Sequence, residues 1–174
     1  MNIQTKRLVL LPVEKKHKHD IFANFSNEVT TYMFPCPANK ISETESVIEN
    51  FTKQRIDGTD FVYVITLSDT GEFLGTCGLH KLKGEIPELG IWTKISAHGN
   101  YYGREAIGGL IEYAENMGIK KLLYPVDKRN IASKKIPLYF GGVLSSEKEV
   151  ITLDGRKLYL EEYMIDTKCG EKSE

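Results

Sequence analysis

The segment from residue 87 to residue 106, PELGIWTKISAHGNYYGREA, constrains the fold more than any other part of the chain. It begins as an apolar strand that carries one carboxylate, Glu88, and continues as a glycine-containing loop and the start of a helix. A strand, a glycine loop and a helix N-terminus form an anion site, because unpaired backbone N–H groups and the positive end of the helix dipole face the same point. A carboxylate beside a bound phosphate compound favours a group-transfer enzyme with a phosphorylated cofactor.

Composition excludes several classes of protein. The 174 residues correspond to one domain with a substantial core. The formal net charge of −1 gives no basic field for nucleic acid or an anionic membrane, and apolar runs such as residues 61–67 are too short to cross a bilayer. The N-terminus lacks the apolar part of a secretion signal, and three scattered cysteines match neither a disulfide framework nor metal-ligand spacing. We expect a cytoplasmic protein without metal, nucleic-acid or membrane partners.

Hydrophobic periodicity predicts the order strand, two helices, three strands, helix, strand, helix, two strands. The strands are predicted at residues 7–13, 61–67, 73–79, 86–93, 121–126, 150–153 and 156–163, and the helices at residues 19–25, 42–57, 106–117 and 130–140. A capping box at residues 42–45 predicts the start of the second helix. The fold class is α+β: a mixed, mostly antiparallel sheet of about seven strands flanked by about four helices, with one strand–helix–strand unit. Residues 1–166 are expected to form a single domain, and residues 167–174 a polar tail.

Short motifs spread along most of the chain resemble those of one family. They are TKRLVLLP at residues 5–12, FLGTCG at 73–78, ELGIW at 88–92, GREA at 103–106 and NIAS at 130–133. In this order and spacing they resemble the GCN5-related N-acetyltransferase (GNAT) superfamily, and within it the ribosomal-protein N-terminal acetyltransferase branch. The resemblance implies direct transfer of the acetyl group of acetyl-CoA to a primary amine, on a protein N-terminus or on a small molecule.

The resemblance also implies roles for residues of the first motif region. Glu88 would be the general base, acting directly or through water, and the alternative is a solvated glutamate on an exposed strand. The strand would part from its neighbour after Glu88, so that the pantetheine arm of acetyl-CoA pairs with its backbone and the oxyanion meets its N–H groups. The cofactor-binding residues expected on this strand, in the loop and at the helix start are Ile91, Trp92, Thr93, His98, Gly99, Asn100, Tyr101, Tyr102, Gly103 and Arg104.

Asn130 and Ser133 have two explanations. An asparagine before a helical run is a standard N-cap, and serine is common in a first turn. The resemblance instead places both residues beside the pantetheine arm, with Ser133 near the sulfur. Ser133 is therefore a candidate cofactor ligand and a candidate catalytic donor to the leaving thiolate, with Tyr139 and water as the alternatives.

Two departures from the family pattern leave a second function open. Tyr101 stands where the cofactor loop has its first motif glycine, and Pro137 stands where many other members have a tyrosine acid. A tyrosine resists positive φ, so the loop is expected to curl differently or to hold the cofactor less tightly. A CoA-binding or sensing module with weak or lost turnover is the alternative, followed by an interaction scaffold without CoA. Acceptor selection is assigned to residues 29–41 and the C-terminal hairpin, whose strands also offer a surface for a homodimer.

Overall fold

The computed structural model describes residues 1–167, which form one eight-stranded sheet with helices on both faces. The elements are β1 (Ile3–Gln4), β2 (Leu8–Pro12), α1 (Lys18–Asn24), α2 (Ile41–Asp57), β3 (Phe61–Leu67), β4 (Phe73–His80), β5 (Glu88–Thr93), α3 (Tyr102–Asn116), β6 (Lys121–Asp127), α4 (Ile131–Tyr139), β7 (Val143–Ile151) and β8 (Lys157–Asp166). The strand order is β1-β2-β3-β4-β5-β6-β8-β7, and among these neighbours β5 and β6 are the parallel pair. The predicted α+β class and helix order are confirmed.

The strand predictions differ from the structure mainly at the two edges of the sheet. The sequence did not predict β1, because a strand of two residues, in which Ile3 pairs with Leu10 and Gln4 with Val9, is too short to show alternation. The outer hairpin strand, β7, begins at Val143 rather than at residue 150. Almost every residue of β7 is exposed, so the sequence carries no alternation of buried apolar residues that would have marked it.

The capping box predicted for α2 is wrong, because the observed N-cap lies two residues before Ser42. The helix begins at Ile41 with Lys40 as its N-cap, so Ser42 already lies inside the helix. The Glu43 carboxylate instead accepts a hydrogen bond of 2.7 Å from the backbone N–H of Asn39. The predicted end is confirmed, because Gly58 takes the left-handed conformation that commonly closes a helix.

Side-chain alternation along the strands divides the core into two parts. One part lies between the sheet and α3, and it contains Cys77, whose side chain is 2% exposed. Burial raises the pKa of the Cys77 thiol, so Cys77 is a small core residue rather than a reactive thiol. The other part lies between the sheet and the first two helices, where Ile48 packs against Val62 and Val64.

The chain end is described as far as Thr167. Its backbone N–H donates to the Lys120 carbonyl over 2.9 Å. The rest of the predicted polar tail, including Cys169, lies outside the described residues. None of the helices in the described part of the chain combines the length and apolar character that crossing a bilayer requires.

An N-terminal segment fixes the start of α3 through Glu105. The Glu105 carboxylate accepts hydrogen bonds of 2.7 Å from the Thr5 hydroxyl and from both the backbone N–H and the guanidinium of Arg7. Burial alone would raise the pKa of Glu105, but these hydrogen bonds outweigh burial and lower it. The contact ties the first turn of α3 to the edge of the sheet.

We predict that Glu105→Gln lowers the free energy of unfolding by about 2 kcal/mol at pH 7, because a charged acceptor loses its donors. The pKa of Glu105 is lower in the folded chain than its unfolded value of about 4.3, so this stabilisation is present above that pH and disappears as the pH falls through the folded value. Urea unfolding at pH 7 and pH 3 measures the loss of stability and its dependence on pH. Glu112→Gln, exposed on the same helix, is the control and should change neither. An equal loss at both pH values would contradict the assignment.

Candidate functional site

The two parallel strands separate almost as soon as they meet. Within the described residues β5 and β6 are paired at one position, Glu88 with Leu123. The adjoining bond runs from the Leu123 N–H to the Pro87 carbonyl over 2.9 Å. Beyond Glu88 the C-terminal part of β5 therefore borders a gap, as the resemblance implied.

The pairing of β5 with β4 identifies which backbone groups face this gap. The Lys94 N–H donates to the Leu74 carbonyl over 2.7 Å, and the register continues without a shift to the start of β5. Since alternate residues of a strand direct their backbone groups to the same side, the groups of Trp92 bond to β4. The N–H and C=O groups of Ile91 and Thr93 point the other way, into the gap.

The three predicted residues of β5 therefore divide into two groups. Ile91 offers its N–H and C=O groups to a ligand in the gap, and Thr93 offers its N–H group, because the Thr93 carbonyl already bonds to the His98 side chain. The Trp92 ring instead packs in the core beside α1, 4.9 Å from the Phe25 ring and 5.9 Å from the Phe73 ring between centroids. Neither the backbone nor the side chain of Trp92 faces the gap.

The loop before α3 is held by its own side chains. The His98 Nε2 lies 3.1 Å from the Thr93 carbonyl, and because a carbonyl only accepts, this nitrogen carries the hydrogen. The Asn100 side chain donates to the carbonyls of Ala97 and His98, each over 3.2 Å. Gly99, with a φ of 82°, provides the turn between them. His98 and Asn100 thus shape the loop.

Tyr101 adopts the conformation that a glycine would take. Its φ of 61° and ψ of 18° lie in the left-handed region, and its side chain is 67% exposed. This conformation costs about 1–2 kcal/mol for a residue with a Cβ atom. The tyrosine therefore stands at the position of the motif glycine at the expense of local strain.

The start of α3 presents free backbone donors. The Glu105 N–H bonds to the Tyr101 carbonyl over 3.1 Å, so the preceding N–H groups of Tyr102, Gly103 and Arg104 have no acceptor within the helix. Together with the helix dipole they make an anion site. The Arg104 guanidinium lies over two rings, 4.4 Å from the Tyr101 centroid and 4.1 Å from the Tyr139 centroid. Its positive charge is therefore held at the same end of the helix.

Asn130 and Ser133 are joined by a cap. The Asn130 Oδ1 accepts a hydrogen bond of 3.2 Å from the Ser133 N–H, so the structural explanation for Asn130 is present. The Ser133 Oγ lies 2.8 Å from the Tyr124 hydroxyl, whose ring belongs to the core. Burial raises the pKa of Tyr124, so its hydroxyl keeps its proton at neutral pH. Ser133 thus has a protonated partner behind it.

Glu88 lies among charged groups that the sequence analysis did not single out. Its side chain is 19% exposed, and Oε1 is 2.6 Å from the Lys81 Nζ. Opposite Glu88 stands His80, whose Nδ1 is 3.0 Å from the Asp60 Oδ1. The available signal was the pair of glycines, Gly78 and Gly90, on facing strands of an apolar sheet. Such a pair leaves room above the sheet for a large side chain.

Metal chemistry has no ligand set in the part of the chain described here. No group of three or more His, Cys, Asp or Glu side chains among residues 1–167 is arranged to hold a metal ion.

The sequence matches one family profile over most of its length. The profile is described as acetyltransferase (GNAT) domain, and it matches residues 7–142. An uncharacterized N-acetyltransferase, p20 of Bacillus licheniformis, is 26% identical over 159 residues, covering 89% of this chain and 87% of that protein. Another, YoaA of Bacillus subtilis (strain 168), is 29% identical over 143 residues, covering 80% of this chain and 81% of that protein.

The fold is also similar to solved structures of low sequence identity. RimL, a ribosomal L7/L12 alpha-N-protein acetyltransferase in complex with coenzyme A, has a TM-score of 0.86 at 16% identity, with 98% of this chain and 100% of that chain covered. An acetyltransferase from Salmonella typhimurium that modifies the N-terminal serine of ribosomal protein L7/L12 has a TM-score of 0.83 at 16% identity, with 95% and 99% covered.

We predict that Tyr101→Val is less stable than Tyr101→Gly by about 1 kcal/mol. A β-branched residue is strained in the left-handed region, whereas glycine enters it freely. Urea denaturation of the two variants beside the wild type measures the difference, and both remove the same ring from Arg104. Equal stability of the two variants would contradict a left-handed Tyr101.

We predict that Ser133→Ala destabilises the fold by about 1–3 kcal/mol, because it leaves the buried Tyr124 hydroxyl without its partner. Adding Tyr124→Phe removes the unpaired hydroxyl, so the double variant should lose less than the sum of the two single losses. A double-mutant cycle on the free energy of unfolding measures this coupling. Strict additivity would show that the two hydroxyls do not interact.

Proposed function

The chain belongs to the acetyltransferase (GNAT) domain family, and we propose that it moves the acetyl group of acetyl-CoA directly to the nitrogen of a primary amine. One observation carries the proposal: β5 and β6 diverge directly beside the open N-terminus of α3. The strand provides peptide groups for an extended amide-containing arm, and the helix provides N–H groups for a phosphate at the end of that arm. Coenzyme A has both parts in this order.

The chain's own groups suit acetyl-CoA in three places. The backbone of Ile91 and Thr93 would pair with the amides of the pantetheine arm, and their N–H groups would also stabilise the oxyanion of the tetrahedral intermediate. The N–H groups of Tyr102, Gly103 and Arg104 would bind the pyrophosphate, with the Arg104 guanidinium adding charge. Acetyl-CoA supplies the activated acetyl group, and no metal is needed for the transfer.

Glu88 is proposed as the general base. Its carboxylate is paired with the Lys81 ammonium, and a protonated acceptor amine would compete for the same oxygens. Glu88 would then take the first proton from the ammonium, directly or through water, and leave a nucleophilic amine. Lys81 has a φ of 56°, which places strain beside this carboxylate.

Ser133 is proposed as the proton donor to the departing thiolate. Its hydroxyl can donate forward while accepting from the protonated Tyr124 behind it. Asn130 fixes the backbone of Ser133 through the cap, and its free amide would contact the pantetheine arm. Ser133, with Tyr124 behind it, would replace the tyrosine acid of many other family members, whose position is occupied here by Pro137.

The acceptor is proposed to be a protein N-terminus, because two structural relatives carry that activity in their descriptions. A small-molecule amine is the alternative. The two elements assigned to acceptor selection meet in the structure: the Arg156 guanidinium donates to the Thr30 carbonyl over 2.8 Å. They line an open cavity of about 560 Å³ between Phe34 and Leu153. A cytoplasmic location and a homodimer through the C-terminal strands stay predictions.

The test combines binding with turnover. Thermal unfolding with millimolar acetyl-CoA should show a raised midpoint, because ligand binding to the folded state stabilises it. Release of the CoA thiol should then require an amine, offered as a peptide with a free N-terminal serine and as spermidine. Binding without turnover would favour the sensing module. The absence of both binding and turnover would contradict the acetyltransferase proposal.

We predict that Glu88→Gln lowers kcat on the order of 100-fold and leaves the acetyl-CoA midpoint shift intact, because the amide cannot accept the proton. The matched control is Glu85→Gln, an exposed glutamate in the turn before the same strand, which should keep full activity. Thiol release under saturating acetyl-CoA measures both. Wild-type kcat in Glu88→Gln would show that Glu88 is not the base.

A further inference from the structure

His80 stands beside the proposed base and extends past it toward the gap. It is the last residue of β4 and is paired with Glu88 across the strands. Its Nε2 lies 3.0 Å from the position that a Cβ atom would occupy on Gly78, and 3.0 Å from the same position on Gly90. The imidazole therefore lies flat along the sheet over two glycines. Its Nε2 reaches Gly90, the neighbour of Ile91, where β5 borders the gap.

Asp60 determines which nitrogen of His80 is free. The Nδ1 is 3.0 Å from the Asp60 Oδ1, and the Asp60 side chain is 13% exposed. A carboxylate accepts, so Nδ1 carries the hydrogen and a neutral imidazole has its lone pair on Nε2. Within residues 1–167 the Nε2 has no hydrogen-bond partner, and the imidazole is 32% exposed. A carboxylate in this position holds the histidine ring in one orientation and one tautomer.

The chemistry of acetyl transfer to an amine requires two proton acceptors. The acceptor arrives as an ammonium and must lose one proton before it can attack. After attack the nitrogen of the tetrahedral intermediate carries a positive charge, and a second proton must leave before a neutral amide forms. A Glu88 that has taken the first proton is neutral and cannot take the second.

We propose that His80, oriented by Asp60, is a catalytic residue that takes this second proton; the assignment rests on the acetyl transfer proposed above. The amine nitrogen forms a bond to the acetyl carbon, and the electron pair of the carbonyl moves to its oxygen. The N–H proton passes to the His80 Nε2, the oxygen re-forms the carbonyl, and the carbon–sulfur bond breaks. The thiolate takes a proton from water or from Ser133, which regains one from solvent, and His80 returns its proton to solvent.

Asp60 lies on the segment before β3, and Glu88 and Lys81 lie beside the imidazole. The imidazole must be neutral to accept a proton, so we expect an acidic limb of the rate that depends on His80. The Asp60 carboxylate accepts the Nδ1 hydrogen, so its removal should leave the ring without a fixed orientation and lower the rate.

The experiment compares His80→Gln, Asp60→Asn and Gly90→Ala with the wild type. Thiol release is measured from pH 5 to pH 9 with the N-terminal serine peptide or spermidine, whichever the wild type acetylates. We expect His80→Gln to lower kcat on the order of 100-fold and to lose the acidic limb, with an unchanged KM for acetyl-CoA. Asp60→Asn should lower kcat by a smaller factor, because the imidazole loses the carboxylate that orients it. Gly90→Ala retains every titratable group but places a Cβ atom 3.0 Å from Nε2, so it should lower kcat by moving the imidazole. His19→Gln, exposed on α1, is the matched control and should change nothing.

The results separate the two proposals. In one outcome Glu88→Gln reduces turnover, while His80→Gln keeps kcat within about twofold of the wild type and retains the acidic limb. That outcome overturns the assignment of His80 and keeps the proposed function. If the Asp60–His80 pair is purely structural, His80→Gln will have a lower unfolding midpoint and keep the acidic limb. That result also overturns the assignment of His80. No turnover by the wild type contradicts the proposed function and the His80 assignment together.

Discussion

A parallel pairing inside an antiparallel sheet cannot be closed by a hairpin, because the chain must return to the starting edge before the next strand begins. Here the return is made by α3, which joins β5 to β6. The helix therefore has to begin next to the C-terminal end of β5, where the two strands have already parted. The strand gap and the free helix N-terminus lie side by side for this one reason. The contacts of Thr5 and Arg7 with Glu105 hold that helix start against the sheet.

Two kinds of proton chemistry are expected on either side of this gap, and the core separates them. The amine side carries Glu88 and His80 on the sheet face that packs against α1 and α2. The thiol side carries Ser133, which is backed by the buried Tyr124 from the opposite face. Side chains on opposite faces of a sheet do not contact each other. The acetyl group would therefore meet a base from one face and an acid from the other.

Apolar periodicity predicted the order of the central elements, motifs of fixed spacing indicated the superfamily, and the resemblance to that superfamily implied the gap. The sequence did not predict β1, which is too short to alternate, or the length of β7, whose side chains are mostly exposed. In the site, the position of Glu88 followed from its motif, but its pairing with Lys81 depends on a left-handed backbone at Lys81 that no local pattern marks. The Asp60–His80 pair joins the last residue of β4 to the residue before β3, and it could be inferred only from the strand register. Tyr101 shows the limit of propensity, because a tyrosine resists positive φ and yet is left-handed here.

We propose that acetyl-CoA lies along the free edge of β5 and ends at the first turn of α3. Amide hydrogen exchange, resolved by residue with and without acetyl-CoA, tests this placement most directly. The amides of Ile91, Thr93, Tyr102, Gly103 and Arg104 should exchange fast in the free protein and become protected on binding, whereas the Trp92 amide should be protected in both states. Protection confined to another surface, or no change at Ile91 and Thr93 under saturating acetyl-CoA, would contradict it.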